Sequence, residues 1–422
     1  MAAAMLRTGP LVVLGLSTLT YVFSQLLRNA TAVIGPELMR DLALSPEALG
    51  LLASVYALAN AVMQVPVGLL LDRIGARRTT YALLAFAVIG TVGFALSDSG
   101  GTLTAARFMM GIGVSGAYVG GVVLIARWYP AERFAGVGGV FLAGGNVGAL
   151  LATTPLALAA AWLGWRGAFF AIAALLLPVI LAGALIIRDA PPGHAFLRRE
   201  PERIGETLRG LGTVLRDRGL QRIFLVAFVN YAALSTMLGL WAGPYLNDRF
   251  GLDPVARGNV LLAMTVAVIG GYLAYGQLDR LLDCRKPLVL FGLTGMVAVF
   301  AALALAPSLA LWQAVALLVG LALFSAFNSV SLAHARALFP GRMVGRVATT
   351  YNLAVQLGSG VFQLVSGFVV GFLPITAAGM SAEAYRLLFA FLGAAVLVAL
   401  VVYLPIRDVR PSEDARNRAA EA

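Results

Sequence analysis

Two arginines stand inside stretches of sequence that are otherwise apolar. Arg28 lies in the first of these stretches and Arg107 in the fourth, and no Asp or Glu falls in the interior of any of them. A charged group at membrane depth is costly, so its presence points to function. Two guanidinium groups form a positive cavity that an anion can neutralise through bidentate hydrogen bonds. The sequence therefore predicts an anionic substrate, with Arg28 and Arg107 as binding residues.

Neutral polar and aromatic side chains in the same stretches are candidates to complete this site. Hydrogen bonding between helices accounts for most such residues in membrane bundles, so each is a separate hypothesis. The candidates are Tyr21, Gln25, Asn29, Tyr56, Asn60 and Asn146 in the first half of the chain and Asn230, Tyr231, Asn328, Asn352 and Gln356 in the second. The pattern favours close helix packing, rather than ligand binding, for Gly136, Gly139, Gly144, Gly145, Gly148, Gly358, Gly360 and Gly367.

The elements that position these residues are predicted to be membrane helices. Of the 422 residues, 60% are hydrophobic and only 12% are charged, about half the charged fraction of a soluble protein. Apolar runs long enough to cross about 30 Å of hydrocarbon lie near 10–34, 47–70, 78–97, 102–127, 134–161, 165–188, 221–245, 256–278, 286–306, 309–335, 345–371 and 384–405. The predicted fold class is an all-α polytopic membrane protein with twelve transmembrane helices.

The two halves of the chain are related by an internal repeat with an offset of 208 residues. Matching positions include Gly35, Pro36, Leu38, Leu44, Pro46 and Gly50, which recur as Gly243, Pro244, Leu246, Leu252, Pro254 and Gly258. Duplicated six-helix bundles that face each other across a midplane site are typical of secondary transporters. The predicted domains are two pseudo-symmetric bundles over 1–188 and 221–406, a cytoplasmic linker over 189–220 and a cytoplasmic tail over 407–422.

The linker contains an amphipathic segment near 208–215. We interpret it as a flexible connector, and the alternative is a segment that lies on the anionic inner leaflet.

The basic residues predict the orientation. With both termini in the cytoplasm, 24 of the 31 Arg and Lys residues fall in cytoplasmic segments, as the positive-inside rule requires. This dispersed pattern explains the net charge of +11 without a nucleic acid partner. Thirty of the basic residues are Arg, a bias typical of a GC-rich bacterial gene. The predicted location is the bacterial cytoplasmic (inner) membrane. The first apolar run exceeds signal-peptide length, so it is predicted to be retained.

A dense polar and glycine cluster separates the second and third apolar runs. It contains Gly68, Asp72, Arg73, Gly75, Arg77 and Arg78. Glycines allow two helix ends to approach closely, Asp72 can meet amides at a helix start, and the arginines can pair with it or hold the loop inside. The spacing resembles the loop signature of the major facilitator superfamily, which implies a gating hinge. The alternative for this loop is an interfacial loop without a gating role. Asp279 and Arg280 repeat the Asp72–Arg73 pair in the second half of the chain.

The first apolar run has a narrower resemblance. Arg28, followed by Pro36, Glu37, Leu38 and Met39, resembles the first-span signature of the anion:cation symporter branch, which implies that Arg28 binds the substrate anion. Leu27 stands where that branch usually has the acid associated with proton coupling, so proton symport does not carry over. Arg107, with Gly111 and Gly113 after it, resembles the fourth-span arginine motif of proton-coupled members, which occurs across many substrate classes.

The leading hypothesis is a secondary active transporter of a small organic anion, either a carboxylate or a sugar acid. The alternatives are proton-driven efflux of drugs or metabolites and transport of a metal chelate or siderophore. An enzyme fits poorly, because His194 lies in the linker and His334 near the cytoplasmic end of the tenth apolar run. The apolar runs are left without a Ser-His-Asp set, a metal-ligand cluster or a carboxylate pair. No phosphate-binding glycine loop with Lys occurs, which argues against ATP coupling.

No cofactor or metal is predicted, and one cysteine, Cys284, excludes an internal disulfide. We expect a monomer in the lipid bilayer, with a proton or sodium ion as a candidate coupling ion. A proton-driven cycle would have to use Asp72, Glu37, His334 or the acid group of the substrate.

Overall fold

The computed structural model describes residues 9–191, 218–306, 308–338, 344–373, 375–376 and 379–413. Contacts divide the chain into two compact units. Unit 1 comprises Met1–Leu44 and Val55–Ile204, and unit 2 comprises Ser45–Ser54 and Gly205–Ala422. The amphipathic segment predicted near 208–215 lies outside the described residues.

Long apolar helices build unit 1. They are α1 (Pro10–Asp41), α2 (Pro46–Arg73, of which 46–54 group with unit 2), α3 (Ala76–Leu96), α4 (Gly100–Val114), α5 (Ala117–Trp128), α6 (Ala131–Leu151) and α7 (Thr154–Ile186). Ser99 caps α4 by accepting from the amide of Thr102, whose hydroxyl approaches the Ser99 amide in return. This reciprocal arrangement satisfies two amides that the first helical turn leaves without partners.

Unit 2 has the same kind of elements. They are α8 (Arg218–Thr236), a π-helical turn (Met237–Trp241), α9 (Ala242–Phe250), α10 (Pro254–Leu281), α11 (Lys286–Leu305), α12 (Leu311–Ser325), α13 (Asn328–Ala337), α14 (Val344–Gly371), the antiparallel strands β1 (Ile375–Thr376) and β2 (Gly379–Met380), and α15 (Ala382–Tyr403). Asp253 caps α10 and Ser381 caps α15 through their side-chain oxygens.

The helical membrane architecture predicted from the sequence is confirmed. Within the described residues, eleven helices are long and apolar enough to cross a membrane, and Gly136–Leu151 is a shorter apolar helix.

Two predicted boundaries are wrong. The first helix runs to Asp41 rather than to residue 34, because it continues through Pro36, where a proline commonly ends a helix. The fifth helix ends at Leu151 rather than at residue 161. The chain leaves helical geometry at Thr153, and Pro155 suits the first turn of the next helix. That helix is kinked at Gly164, whose φ of 68° favours glycine.

The fourth helical segment of each half is broken in its second part. The first break separates α4 from α5 at Ser115–Gly116, and the second separates α12 from α13 at Ala326–Phe327. Beside each break a serine hydroxyl donates to a carbonyl three residues earlier, Ser115 to Ile112 at 2.6 Å and Ser325 to Ala322 at 2.8 Å. Such bonds compete with the helical ladder and bend it.

Several glycines of the sequence series do permit close packing. A Cβ at Gly145 would lie 1.8 Å from the Tyr21 ring, and one at Gly148 would lie 1.9 Å from the Val22 carbonyl oxygen. Here α6 meets α1 backbone to backbone. In contrast, no described atom lies within 4 Å of a Cβ placed at Gly136 or Gly139.

Candidate functional site

Arg28 lies near the middle of α1 and is half-buried. Its side chain is within hydrogen-bonding reach of Tyr56 on α2, which is 2% exposed. The Tyr56 hydroxyl donates to the Ser24 carbonyl, one turn before Arg28, at 3.0 Å. A buried phenol therefore holds α2 against the turn of α1 that carries Arg28.

Arg107 lies on α4 and is 1% exposed. One of its Nη atoms donates to the carbonyl oxygen of Leu27 at 2.8 Å, and its Cζ stands 4.5 Å from the centroid of the Tyr56 ring. A charged hydrogen bond and a cation–π contact thus compensate part of the cost of burying this cation. Arg107 is bound to the residue directly before Arg28.

Gly111 explains how α4 comes close enough for these contacts. A Cβ at this position would lie 2.5 Å from the Tyr56 carbonyl oxygen. Cβ atoms do not come this close to another heavy atom, so the contact requires glycine. Gly111 follows Arg107 by one helical turn, so both residues face α2. The spacing of Arg107 and Gly111 is therefore a packing requirement that places the guanidinium over the phenol ring.

Arg28, Tyr56 and Arg107 form what we call the basic cluster of unit 1. Both guanidinium groups act electrostatically on the Tyr56 phenol, so two positive charges share one small volume. Glu37 lies nine residues after Arg28 on the same helix, about two and a half turns away and hence toward the opposite face. An anion with two or more oxygen atoms has the chemistry to bind such a cluster.

The other candidates in unit 1 have local partners. Asn29 donates to the carbonyl of Gln25 at 2.8 Å, and Asn60, which is 4% exposed, accepts from Gln64 at 3.0 Å. Asn146 on α6 donates to the carbonyl of Leu142 in its own helix at 3.1 Å. The Asn29 and Asn146 amides retain one further donor hydrogen and the acceptor oxygen for a ligand.

The candidates in unit 2 lie on α8, α13 and α14. Gln356 is 4% exposed, and Tyr231 and Asn352 are half-buried. Asn328 accepts a hydrogen bond from the hydroxyl of Tyr351, a buried residue that sequence reasoning missed. Asn230 donates weakly, at 3.4 Å, to the Ser325 carbonyl beside the break between α12 and α13.

Another buried arginine was also missed. Arg257 lies in the first turn of α10 and is 1% exposed. Sequence analysis places it at the end of a span, where an arginine ordinarily reaches water or headgroups. Its position three residues after Pro254 gave no signal of burial.

The predicted hinge loop of unit 1 is held by a residue outside it. The Asp189 carboxylate, just beyond α7, accepts a hydrogen bond of 2.8 Å from the Arg77 amide. This amide lies at the start of α3, where the sequence predicts Asp72 as the acceptor. The Arg77 guanidinium donates to the Ile187 carbonyl at 3.2 Å, and Arg127 lies 3.8 Å from Asp189. The structure therefore corrects the predicted cap: Asp189 takes that role.

The residues of the predicted hinge loop differ in their surroundings. Gly75 has φ of 92°, and a Cβ there would lie 2.6 Å from the Asp189 carboxylate, so the absence of a side chain makes room for this carboxylate. At Gly68 no described atom lies within 4 Å of a Cβ position. Asp72, Arg73 and Arg78 are exposed, and Asp72 acts electrostatically on Arg127.

The corresponding turn of unit 2 is held in the same way. Asp408, just beyond α15, accepts the amide of Lys286 at the start of α11 at 2.9 Å. Asp279 lies 3.6 Å from Arg285, whereas Arg280 is exposed.

Asp189 and Asp408 belong to a second repeat in the sequence. They end the segments Ile187–Asp189 and Ile406–Asp408, which read Ile-Arg-Asp in both places. The central carbonyl of each segment also accepts a ring N–H, from Trp128 at 2.9 Å in unit 1 and from His334 at 2.8 Å in unit 2.

Cys284 lies in this turn of unit 2 between α10 and α11. Burial raises the pKa of its thiol, and the carboxylates of Asp408, Asp279 and Asp283 raise the pKa further. A raised pKa keeps the thiol protonated and unreactive at neutral pH.

Comparison with known proteins gives a consistent picture. The family model described as Major Facilitator Superfamily matches residues 17–283 and 223–422. The chain is 26% identical over 419 residues to a probable sulfoacetate transporter of Cupriavidus necator, covering 96% of each. It is 30% identical over 277 residues to a galacturonate transporter of Dickeya chrysanthemi, covering 62% of this chain and 80% of that protein.

Solved structures show the same fold. A bacterial homolog of the human lysosomal transporter Spinster superposes with a TM-score of 0.79 at 20% identity, covering 93% of this chain and 96% of that one. A nucleoside transporter superposes with a TM-score of 0.78 at 12% identity, covering 94% and 99%.

Proposed function

The chain belongs to the Major Facilitator Superfamily and is a multi-pass membrane transporter rather than an enzyme, and on this premise we propose that it carries a small organic anion, a carboxylate or a sugar acid, by alternating access. The substrate is a proposal, because the relatives are 23–30% identical to the chain.

The basic cluster of unit 1 carries the proposal. Arg28 and Arg107 flank one buried phenol on three helices, and Arg28 is the less buried of the two guanidinium groups. We assign carboxylate binding to Arg28 and assign Arg107 to positioning of the α1 turn. The remaining polar candidates of unit 1 would bind the hydroxyl groups of a sugar acid.

The relatives support an anionic cargo. Two of them are a probable sulfoacetate transporter and a galacturonate transporter, and each of these two substrates carries at least one carboxylate. The two substrates differ in length and in the number of hydroxyl groups. We therefore propose that the residues that bind the anionic group lie together and that the residues that contact the rest of the substrate differ among relatives.

The residue before Arg28 bears on how a coupling ion could bind. Leu27 is fully buried and provides no titratable group beside Arg28. We propose that a proton, if it is the coupling ion, binds away from position 27 or enters on the substrate. A sodium ion is the second candidate, and the transporter is proposed to act as a monomer.

We propose a location in the bacterial cytoplasmic membrane with both termini in the cytoplasm, on the basis of the distribution of arginines. Under this orientation the turn after α2 and the turn after α10 are cytoplasmic. We also propose that 1–188 and 221–406 are the two functional bundles and that the Gly68–Arg78 loop is a gating hinge.

Uptake into proteoliposomes tests the proposal. A panel of radiolabelled carboxylates and sugar acids, with neutral sugars and organic cations of similar size as controls, would be screened under imposed pH and sodium gradients. We expect saturable, counterflow-competent uptake of at least one anion and competition by other anions. Uptake that only neutral or cationic compounds inhibit would contradict the proposal.

A further inference from the structure

A cleft of about 470 Å³, including space open to the exterior, lies at one end of unit 2. It is formed by the end of α9, the end of α11 and the start of α15, at the end of the helices opposite the turn that contains Cys284. Its walls include Tyr245, Leu303, Tyr385 and Phe389. This cleft is separate from the basic cluster, which belongs to unit 1.

Among its described lining residues, the charged ones are Arg249 and Arg386. Neither arginine makes an ion pair with a carboxylate of the described residues. Arg386 donates through Nε to the Ala304 carbonyl at the end of α11 at 2.8 Å. This bond orients the guanidinium and leaves both Nη groups available to a ligand.

The nearby carboxylates do not line the cleft. Four occur at this end of unit 2, at positions 47, 248, 253 and 383, and none of them lines the cleft. Asp248 accepts from the Met380 amide at 3.0 Å and the Tyr385 hydroxyl at 2.8 Å, and Asp253 accepts from amides of α10. On α15 the lining positions are 382, 385, 386 and 389, one helical face that omits Glu383.

The surroundings of the cleft are those of a membrane interface. Leu305 at the end of α11 is 74% exposed, and Leu387, which follows Arg386, is 41% exposed. Trp312, at the start of α12 near the same end, is 71% exposed, and tryptophan is enriched where acyl chains meet headgroups. In a membrane protein such apolar surfaces contact lipid, so acyl chains would run directly beside the two arginines.

We propose that this cleft binds the headgroup phosphate of an anionic phospholipid. The two guanidinium groups bind the phosphate oxygens, since the planar fork of arginine matches phosphate geometry. The aromatic and leucine walls contact the glycerol backbone, and the acyl chains lie along the exposed faces of α11 and α15. A free phosphate ester shares the charge but would leave these apolar contacts unmade.

The test uses the purified full chain in detergent. Retention of phosphatidylglycerol is measured by native mass spectrometry, and stabilisation by the same lipid is measured by thermal unfolding. Diacylglycerol, which lacks the phosphate, and soluble glycerol 3-phosphate form the comparison arms. The variants are Arg249→Gln, Arg386→Gln and their combination, and Arg40→Gln is the matched control, because Arg40 is exposed and pairs with Asp41 in unit 1.

We expect each single variant to weaken phosphatidylglycerol binding about fivefold, from about 1 kcal/mol per arginine near an anionic lipid surface, and the double variant about 25-fold, with the control unchanged. Diacylglycerol and glycerol 3-phosphate should neither be retained nor stabilise. Equal lipid retention by the double variant and the unsubstituted protein would overturn the proposal, and so would full displacement of the lipid by glycerol 3-phosphate. Should Arg386→Gln unfold through loss of its Ala304 bond, Arg249→Gln alone decides.

Discussion

The guanidinium of Arg107 donates to the carbonyl oxygen of Leu27 across 2.8 Å, so a residue of α4 binds the backbone directly before Arg28. The Tyr56 hydroxyl binds the carbonyl of Ser24 at 3.0 Å in the same turn. Two buried side chains therefore hold the segment of α1 that presents Arg28. Preorganisation of this kind lowers the entropy lost when a ligand binds.

Replacement of Arg107 should weaken anion binding without unfolding the protein. Arg107→Met removes the bond to Leu27 and one positive charge, and it also removes the cost of burying a cation that makes no ion pair among the described residues. Loss of one charged interaction corresponds to about a tenfold rise in the apparent KM for the anion, with a melting temperature close to that of the unsubstituted protein. Arg107→Lys should give a smaller effect. Unchanged KM in folded Arg107→Met would contradict the positioning role.

Asp189 and Asp72 should have different roles in the loop of unit 1. Asp189→Ala removes the acceptor for the Arg77 amide and should destabilise the protein by about 1–2 kcal/mol, as the loss of a helix cap does. Asp72→Asn changes an exposed residue and should leave the melting temperature unchanged. It should slow exchange between inward- and outward-open states while substrate affinity persists.

Thermal unfolding and single-molecule distance measurements would separate the two effects. Loss of affinity in Asp72→Asn with a normal exchange rate would show that the hinge assignment is wrong.

The raised pKa of Cys284 predicts slow alkylation. The thiolate is the reactive form, so the rate of alkylation increases as the pH passes through the thiol pKa. With a raised pKa, this increase occurs at higher pH. We expect the midpoint of the rate of iodoacetamide labelling, followed by mass spectrometry, to lie above that of a peptide with the same local sequence. Asp408→Asn should lower the midpoint, since the Asp408 carboxylate raises the thiol pKa, whereas Asp72→Asn should not. A midpoint at or below that of the peptide would contradict this account of the turn.

His334 is expected to be structural rather than coupling. Its ring is fully buried, with Nδ1 at 2.6 Å from the Tyr403 hydroxyl and Nε2 at 2.8 Å from the Arg407 carbonyl. His334→Gln should lower stability by about 1–3 kcal/mol through imperfectly satisfied buried groups. The ratio of uptake rates at two pH values should stay the same. A selective loss of pH dependence, with unfolding unaffected, would instead make His334 a coupling residue.

Local features of the sequence predicted most of the fold, because span length and apolar content decide where membrane helices form. The errors arose where a local rule was overridden. The first helix continues through Pro36, and Thr153 ends a helix inside an unbroken apolar run. The cap on Arg77 comes from Asp189, 112 residues later, which no local pattern reveals. The repeated Ile-Arg-Asp segments at 187–189 and 406–408 were the available signal.

The site was predictable where burial is costly. Arg28 and Arg107 stood out because a charge in an apolar span requires a reason, and the structure brings both to Tyr56. Their relationship was not predictable, since it depends on the packing of α4 on α2 at Gly111. Arg257 was missed because a residue in the first turn of a helix is expected to reach the interface.

The affinity of Arg28 variants for the transported anion tests the central claim most directly. Once the uptake panel identifies an anion, its binding would be titrated on purified protein, Arg28→Lys and Arg28→Ala, each shown to be folded by thermal unfolding. The 208-residue repeat pairs Arg28 with Thr236, so the matching position of the second half supplies no replacement charge. Lysine keeps the charge without the planar fork, and alanine loses both. We predict that affinity falls in the order Arg, Lys, Ala, with Arg28→Ala weaker by about ten- to a hundredfold, and unchanged affinity in folded Arg28→Ala would contradict the account.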